Sequence, residues 1–229
     1  MIGIFDSGVG GFVSLRRLRE LCPRADICYL ADRKNAPYGT KSEEELKRLV
    51  LNDISLLRRR GATEILAACC TASAVLDAMG VTDVTTIIRP TARLAARQTK
   101  NGKIAIICTY ATARSGAFTR ALLEINPRLD IKTQPSRRLV ELAELRVCDG
   151  NITEKALEAV RGELRPLMDF GADTVILGCT HFSLLGGVIS ELLCAKTVSA
   201  ADVGAELIAR SVSERGEGRT VYICPEKII

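Results

Sequence analysis

Gly61-Ala62-Thr63-Glu64-Ile65-Leu66-Ala67-Ala68-Cys69 and Gly171-Ala172-Asp173-Thr174-Val175-Ile176-Leu177-Gly178-Cys179 read as two copies of one buried strand, each ending in a cysteine. Ser73 and Ser183 follow the two cysteines at the same offset. A second echo joins Gly3-Ile4-Phe5-Asp6-Ser7 to Ala105-Ile106-Ile107-Cys108-Thr109. The duplication predicts two pseudo-symmetric α/β lobes with mostly parallel central sheets, because apolar strands alternate with helical patterns. The expected site lies in the cleft between the lobes, with one thiol delivered from each. Two facing acid–base groups suit chemistry on both faces of one carbon.

Outward from these stretches, the 229 residues and their 47% hydrophobic content are enough to fill such cores. The expected division is 1–92 with 202–229 as the first lobe and 93–201 as the second. Trp is absent and aromatic residues make up 4% of the chain, which argues against a stacking platform for nucleic acid. The net charge of +5 is dispersed apart from Arg58-Arg59-Arg60, which suits the carbonyl end of a helix dipole. No apolar run is long enough to span a bilayer, so neither a membrane nor a nucleic acid is an expected partner.

The nine cysteines are odd in number and several sit inside apolar strand patterns. The opening Met1-Ile2-Gly3-Ile4-Phe5-Asp6 has no basic start leading to an apolar signal core. Both features predict a cytoplasmic protein with reduced thiols. No cysteine pair has zinc-site spacing and His181 is the only histidine, so no metal is expected.

Pattern and punctuation place the elements. A strand over 2–6 runs into Asp6-Ser7-Gly8-Val9-Gly10-Gly11 and a helix to about Leu21, and Pro23 precedes the strand Ile27-Cys28-Tyr29-Leu30. Residues 31–41 read as a loop punctuated by Pro37 and Gly39. Ser42 and Glu45 form a capping box for the next helix. Thr85-Thr86-Ile87-Ile88 reads as a strand before a helix rich in Ala and Arg. Asn151 with Glu154 is expected to cap a helix reaching toward Phe170, kinked at Pro166.

In open α/β sheets, ligands bind beyond the carboxyl ends of strands. Asp6-Ser7-Gly8, Cys69-Cys70-Thr71, Thr109-Tyr110-Ala111-Thr112 and Cys179-Thr180-His181 all fall at such ends. Hydroxyls and helix-start amides there suit a carboxylate ligand. Only a thiolate can take a proton, so each cysteine needs an acceptor; Asp6 could serve Cys69, and His181 lies two residues from Cys179. A Cys–His hydrolase is the competing catalytic class, and it leaves the second strand-end cysteine without a role. A dinucleotide site at Gly8-Val9-Gly10-Gly11 lacks the third glycine, and Asp6 would repel phosphate.

Beyond these spacings, the chain resembles the glutamate racemases of the aspartate/glutamate racemase superfamily. The resemblance rests on Gly3 through Gly11, Tyr29-Leu30-Ala31-Asp32, and Pro37-Tyr38-Gly39-Thr40-Lys41-Ser42. It continues through Ala68-Cys69 with Thr71-Ala72-Ser73, Thr109 and Thr112 with Ser115-Gly116-Ala117, Leu142-Ala143-Glu144, and Gly178-Cys179-Thr180-His181-Phe182. It implies two α/β lobes, no cofactor, and interconversion of L- and D-glutamate for peptidoglycan synthesis. By the same resemblance Cys69 and Cys179 are the two proton donors and acceptors, and Asp6, Asp32, Glu144 and His181 are assisting acid–base groups. Asp6, Ser7, Tyr38, Gly39, Cys70, Thr71, Thr109, Thr112, Thr180 and His181 fall among the substrate contacts; Glu141 is the near neighbour that could exchange with Glu144. The expected partner is the amino acid itself, with a homodimer left open. Cys70 stands where the family usually has Asn and Phe118 where it usually has Tyr. A racemase of aspartate or another amino acid, and a non-catalytic amino-acid-binding relative, therefore remain alternatives.

Overall fold

The computed structural model describes residues 1–149, 152–212 and 216–224, without the side chains of 146–149. It forms two compact units, Met1–Ile87 with Ala201–Ile229, and Ile88–Ala200. Each is built on a sheet of four parallel strands with helices around it.

In the first unit, β1 (Ile2–Asp6), α1 (Phe12–Leu21), β2 (Ile27–Ala31), α2 (Glu43–Arg59), β3 (Glu64–Ala67) and α3 (Cys70–Ala78) alternate along the chain. After Ile87 the chain passes through the second unit, which holds α4 (Ile88–Gln98), β4 (Lys103–Cys108), α5 (Tyr110–Ser115), α6 (Ala117–Ile125) and β5 (Asp130–Pro135). Next come α7 (Arg138–Asp149), α8 (Glu154–Met168), β6 (Thr174–Gly178), α9 (Gly186–Leu193) and β7 (Lys196–Ser199). The chain then returns with α10 (Ala200–Ser211) and β8 (Thr220–Ile223).

The strand orders are β3-β1-β2-β8 and β5-β4-β6-β7. In each unit the chain moves from the first strand to one side and then to the other, so the direction reverses between β1 and β3 and between β4 and β6. Those are the switch points where open parallel sheets bind ligands. The fourth strand breaks the likeness. β8 joins beside β2 and leaves β3 at the edge, whereas β7 joins beside β6 and encloses it.

Parallel strands covered on both faces should be continuously apolar, and all five residues of β1, β2 and β6 are buried. Ser42 Oγ accepts from Glu45 N at the start of α2, as the capping pattern predicts. At the two copied stretches Gly61 and Gly171 take φ of +86° and +70°, a left-handed turn that glycine enters without a Cβ penalty. In the second unit Ile107, Leu139, Leu164, Val175, Leu177 and Phe182 lie in one buried cluster that also contains Cys179.

Some local readings change. Thr85 makes a single parallel bridge to Leu66 rather than a strand, and α4 already begins at Ile88. Pro90 is accommodated within the first turn of α4, where a missing N–H costs no helical bond. Asn151 lies outside the described residues; Thr153 caps α8 by accepting from Ala156 N. Residues 31–41 contain two short 3₁₀ turns, Arg33–Asn35 and Tyr38–Thr40.

Candidate active site

The first unit places its half of the candidate residues at the β1/β3 switch point. Asp6 ends β1 fully buried, and its Oδ2 accepts from Gly8 N at 2.9 Å, which curls the glycine stretch back over the strand end. Gly11 is required there, since a Cβ would lie 2.5 Å from Asp6 Cβ and 2.7 Å from Tyr29 Oη. Tyr29 Oη donates to Gly8 O at 3.1 Å and fixes the same turn.

Cys69 follows β3 and precedes the first residue of α3, and its thiol donates toward Ser7 Oγ at 3.7 Å. Cys70 and Thr71 open α3, both buried. Ser73, one turn on, donates to Ala67 O at 2.8 Å and accepts from Ile87 N at 3.2 Å. That pair of bonds ties α3 back to the strand end that carries the thiol.

Asp32 lies just beyond β2, level with Asp6: its N–H donates to Asp6 O at 2.9 Å. Its carboxylate accepts from Asn35 Nδ2 on both oxygens, at 3.0 and 2.9 Å, and from Tyr38 Oη at 2.7 Å. Tyr38 is buried, and Gly39 beside it is half-buried. Burial and the neighbouring carboxyl groups of Asp53 and Asp32 push the Tyr38 hydroxyl strongly up, so it stays protonated and acts as a donor.

In the second unit Thr109 follows β4 and caps α5, its Oγ1 accepting from Thr112 N at 3.3 Å and lying 3.0 Å from Thr112 Oγ1. Across the β4/β6 switch point, Cys179 leaves β6 in extended conformation and a 3₁₀ turn begins at Thr180. The turn brings His181 Nδ1 to 3.7 Å from Cys179 Sγ. On the far side of the ring, His181 Nε2 lies 3.2 Å from Glu144 Oε1. The ring thus has the thiol near one nitrogen and the carboxylate near the other. Glu141, the near neighbour in sequence, turns instead to Arg137 and Arg138.

Gly178 lets the strand end pack closely, because a Cβ would meet Phe118 Cε2 at 2.9 Å and Ile107 O at 3.0 Å. Cys108 stands beside Gly178 in the β4–β6 pairing, and burial together with the nearby Cys179 pushes its thiol up to about 12. Cys108 is thereby kept as a neutral thiol. No group of three or more His, Cys, Asp or Glu among the described residues could hold a metal, and none of their helices is long and apolar enough to cross a membrane.

Two residues beside these strand ends are absent from the sequence reading. Asn35 was visible only as part of the loop over 31–41. Asp53, whose Oδ2 lies 2.7 Å from Tyr38 Oη, interrupts the buried stripe Leu46, Leu49, Val50, Ile54 and Leu57 of α2. A carboxylate at a core-facing helical position was the available signal.

The Asp/Glu/Hydantoin racemase family model matches residues 15–208. The glutamate racemase of Geobacter metallireducens is 38% identical over 214 residues, covering 91% of this chain and 78% of that protein. The crystal structure of a glutamate racemase isoform from Bacillus anthracis superposes with a TM-score of 0.86 at 30% identity, over 98% of this chain and 87% of that one. That of Escherichia coli glutamate racemase, in complex with L-glutamate and an activator, gives 0.77 at 30% identity, over 91% and 80%. With a family model matching 15–208 and relatives matched over most of their length, the chain belongs to the Asp/Glu/Hydantoin racemase family and is an isomerase, a racemase.

Proposed function

We propose that this racemase interconverts L- and D-glutamate with Cys69 and Cys179 as its two proton-transfer groups, and that the D-glutamate feeds peptidoglycan synthesis. The observation that carries the reading is the repeated placement of one thiol at the switch point of each sheet, each beside a polar partner. Curated relatives named glutamate racemase support the choice of substrate.

The chemistry follows from the weakness of the α-proton as an acid. A positioned base must remove it, and hydrogen-bond donors must hold the charge that develops on the carboxylate side. In the proposed step one thiolate takes the α-proton from one face. The other thiol delivers its proton to the opposite face, so the carbon inverts and the protonated and ionised sulfurs exchange roles. Each thiol must first be able to lose its proton. His181, braced by Glu144, is the acceptor for Cys179; Asp6 serves that role for Cys69. Hydroxyls of Ser7, Thr109, Thr112 and Thr180 and the strand-end amides are suited to the substrate carboxylates.

Incubating L- and D-glutamate separately with the protein in deuterated water tests this, following α-deuterium incorporation and optical rotation. Racemisation from either enantiomer with deuterium in the product is expected, and Cys69→Ser and Cys179→Ser should each abolish it. Normal racemisation by both single variants would overturn the two-thiol assignment. Rescue of a bacterial strain starved of D-glutamate tests the cell-wall role; continued dependence on added D-glutamate would count against it.

A further inference from the structure

One phenol hydroxyl, Tyr38 Oη, sits 2.7 Å from Asp32 Oδ2 and 2.7 Å from Asp53 Oδ2. A phenol has a single proton to donate. Two oxygen–oxygen contacts of that length around one hydroxyl require a second proton on one of the carboxyls. The surroundings decide which. Asp32 accepts from the Asn35 amide on both oxygens, so neither of them is placed to donate a proton. Asp53 is 2% exposed, lies on the apolar stripe of α2, and among the described residues has Tyr38 as its hydrogen-bond partner.

We propose that Asp53 is a positioning residue that carries this second proton, donating to Tyr38 Oη so that Tyr38 donates to, and orients, an ionised Asp32. The inference rests on the proposed reaction only in so far as Asp32 assists it. Three groups then share two protons, in the order Asp53–OH to Tyr38, Tyr38–OH to Asp32 carboxylate. Removing the Asp53 proton leaves two carboxylates competing for one hydroxyl at close range, and Asp32 loses its fixed orientation.

The other charged groups agree. Asp6, at the end of β1, and Asp32 both add negative charge that disfavours an ionised Asp53. α3, also packed on α2, carries Cys70 and Asp77, and Asp77 is engaged by Thr86 Oγ1 at 2.6 Å. On α2 itself the nearest charged residues in sequence, Arg48 and Arg58, are exposed. Burial, opposed by the Tyr38 hydrogen bond and reinforced by Asp32 and Asp6, pushes the Asp53 carboxyl up to about 7.

Infrared spectroscopy of the full chain tests the assignment, with ¹³C-labelled aspartate carboxyls and a pH series across neutrality. A protonated-carboxyl stretch should be present on the acid side, fade with a midpoint near neutrality, and be missing in Asp53→Asn, whose amide donates to Tyr38 at every pH. No such band in the wild type, or its persistence in Asp53→Asn, would overturn the proposal; should the variant not fold, the wild-type titration alone decides. In parallel, the kcat of L-glutamate racemisation should fall several-fold more in the wild type than in Asp53→Asn as the pH is raised through neutrality. Equal falls would overturn the link to Asp32. The infrared signal needs no turnover, so a protein without racemase activity would sink the proposed reaction and leave the proton assignment to stand or fall by its own band.

Discussion

Glu144 Oε1 stands 3.2 Å from His181 Nε2 while the other ring nitrogen, Nδ1, stands 3.7 Å from Cys179 Sγ. The arrangement lets an imidazole take the thiol proton while the carboxylate steadies the resulting positive charge. The first unit has no imidazole, because His181 is the single histidine of the chain. His181→Asn is therefore expected to lower kcat by roughly 100-fold with a smaller change in KM. Glu144→Gln should cost about 10-fold, since it removes the charge and keeps the shape. Steady-state kinetics in both directions check this, and an unchanged kcat in His181→Asn would show that another group accepts the proton.

Gly11 makes a second test. A methyl group there would press on Asp6 Cβ and Tyr29 Oη, both anchored in the β1–β2 pair. Gly11→Ala should destabilise the fold by about 1–3 kcal/mol and lower racemisation at least 10-fold by displacing Asp6. Urea denaturation with kinetics on the folded fraction reads both effects.

Asp173 offers a stability test in the second unit, away from the strand ends. Its partial burial alone would raise its pKa, but Thr99 Oγ1, the N–H groups of Lys100 and Asn101, and Thr174 Oγ1 outweigh it and hold the carboxyl at about 2. The folded value lies below the ordinary 3.8, so the contribution is present above pH 3.8 and is lost as the pH falls toward 2. With solvent screening it is worth about 1 kcal/mol. Asp173→Ala, which removes the hydrogen bonds too, should cost about 1–2 kcal/mol at neutral pH. The difference between variant and wild type should shrink in acid, as thermal unfolding at several pH values would show.

Asp53 has the opposite linkage. Its carboxyl is raised from 3.8 to about 7, so between those values the folded state binds the extra proton and stability falls as the pH rises. Above about 7 the penalty is complete, and it is at most about 4 kcal/mol. Asp53→Asn should therefore gain on the wild type as the pH is raised from 4 to 7, with no further gain above it. A constant difference in denaturation midpoints across that range would contradict the linkage.

The sheets and their strand-end segments were legible because parallel strands buried on both faces write themselves as short apolar runs, two of them opened by a glycine turn, and because the chain writes that pattern twice. Cys69 and Cys179 were legible for the same reason. Less visible were contacts made by turns whose path the pattern does not specify. Thr85 reads as strand by its β-branched neighbours yet meets Leu66 at one bridge only. Which of Glu141 and Glu144 lies against His181 depended on which way α7 faces; it is Glu144 that approaches the ring, while Glu141 pairs with Arg138. Asp53 was not singled out, although its place among Leu46, Leu49, Val50, Ile54 and Leu57 puts it on the buried face of α2.

The place of the fourth strand separates the two thiols in a further respect. β3, which leads to Cys69, is a border strand steadied on its outer side by the one Thr85 bridge, whereas β6, which leads to Cys179, is flanked along its length by β4 and β7. Backbone amides of a border strand open to solvent more readily than those of an interior one. Hydrogen–deuterium exchange should accordingly be faster over Glu64–Ala67 than over Thr174–Gly178. Two units that share one strand pattern thus differ in how firmly the strand before the thiol is held, and backbone adjustment on ligand binding is expected mainly in the first.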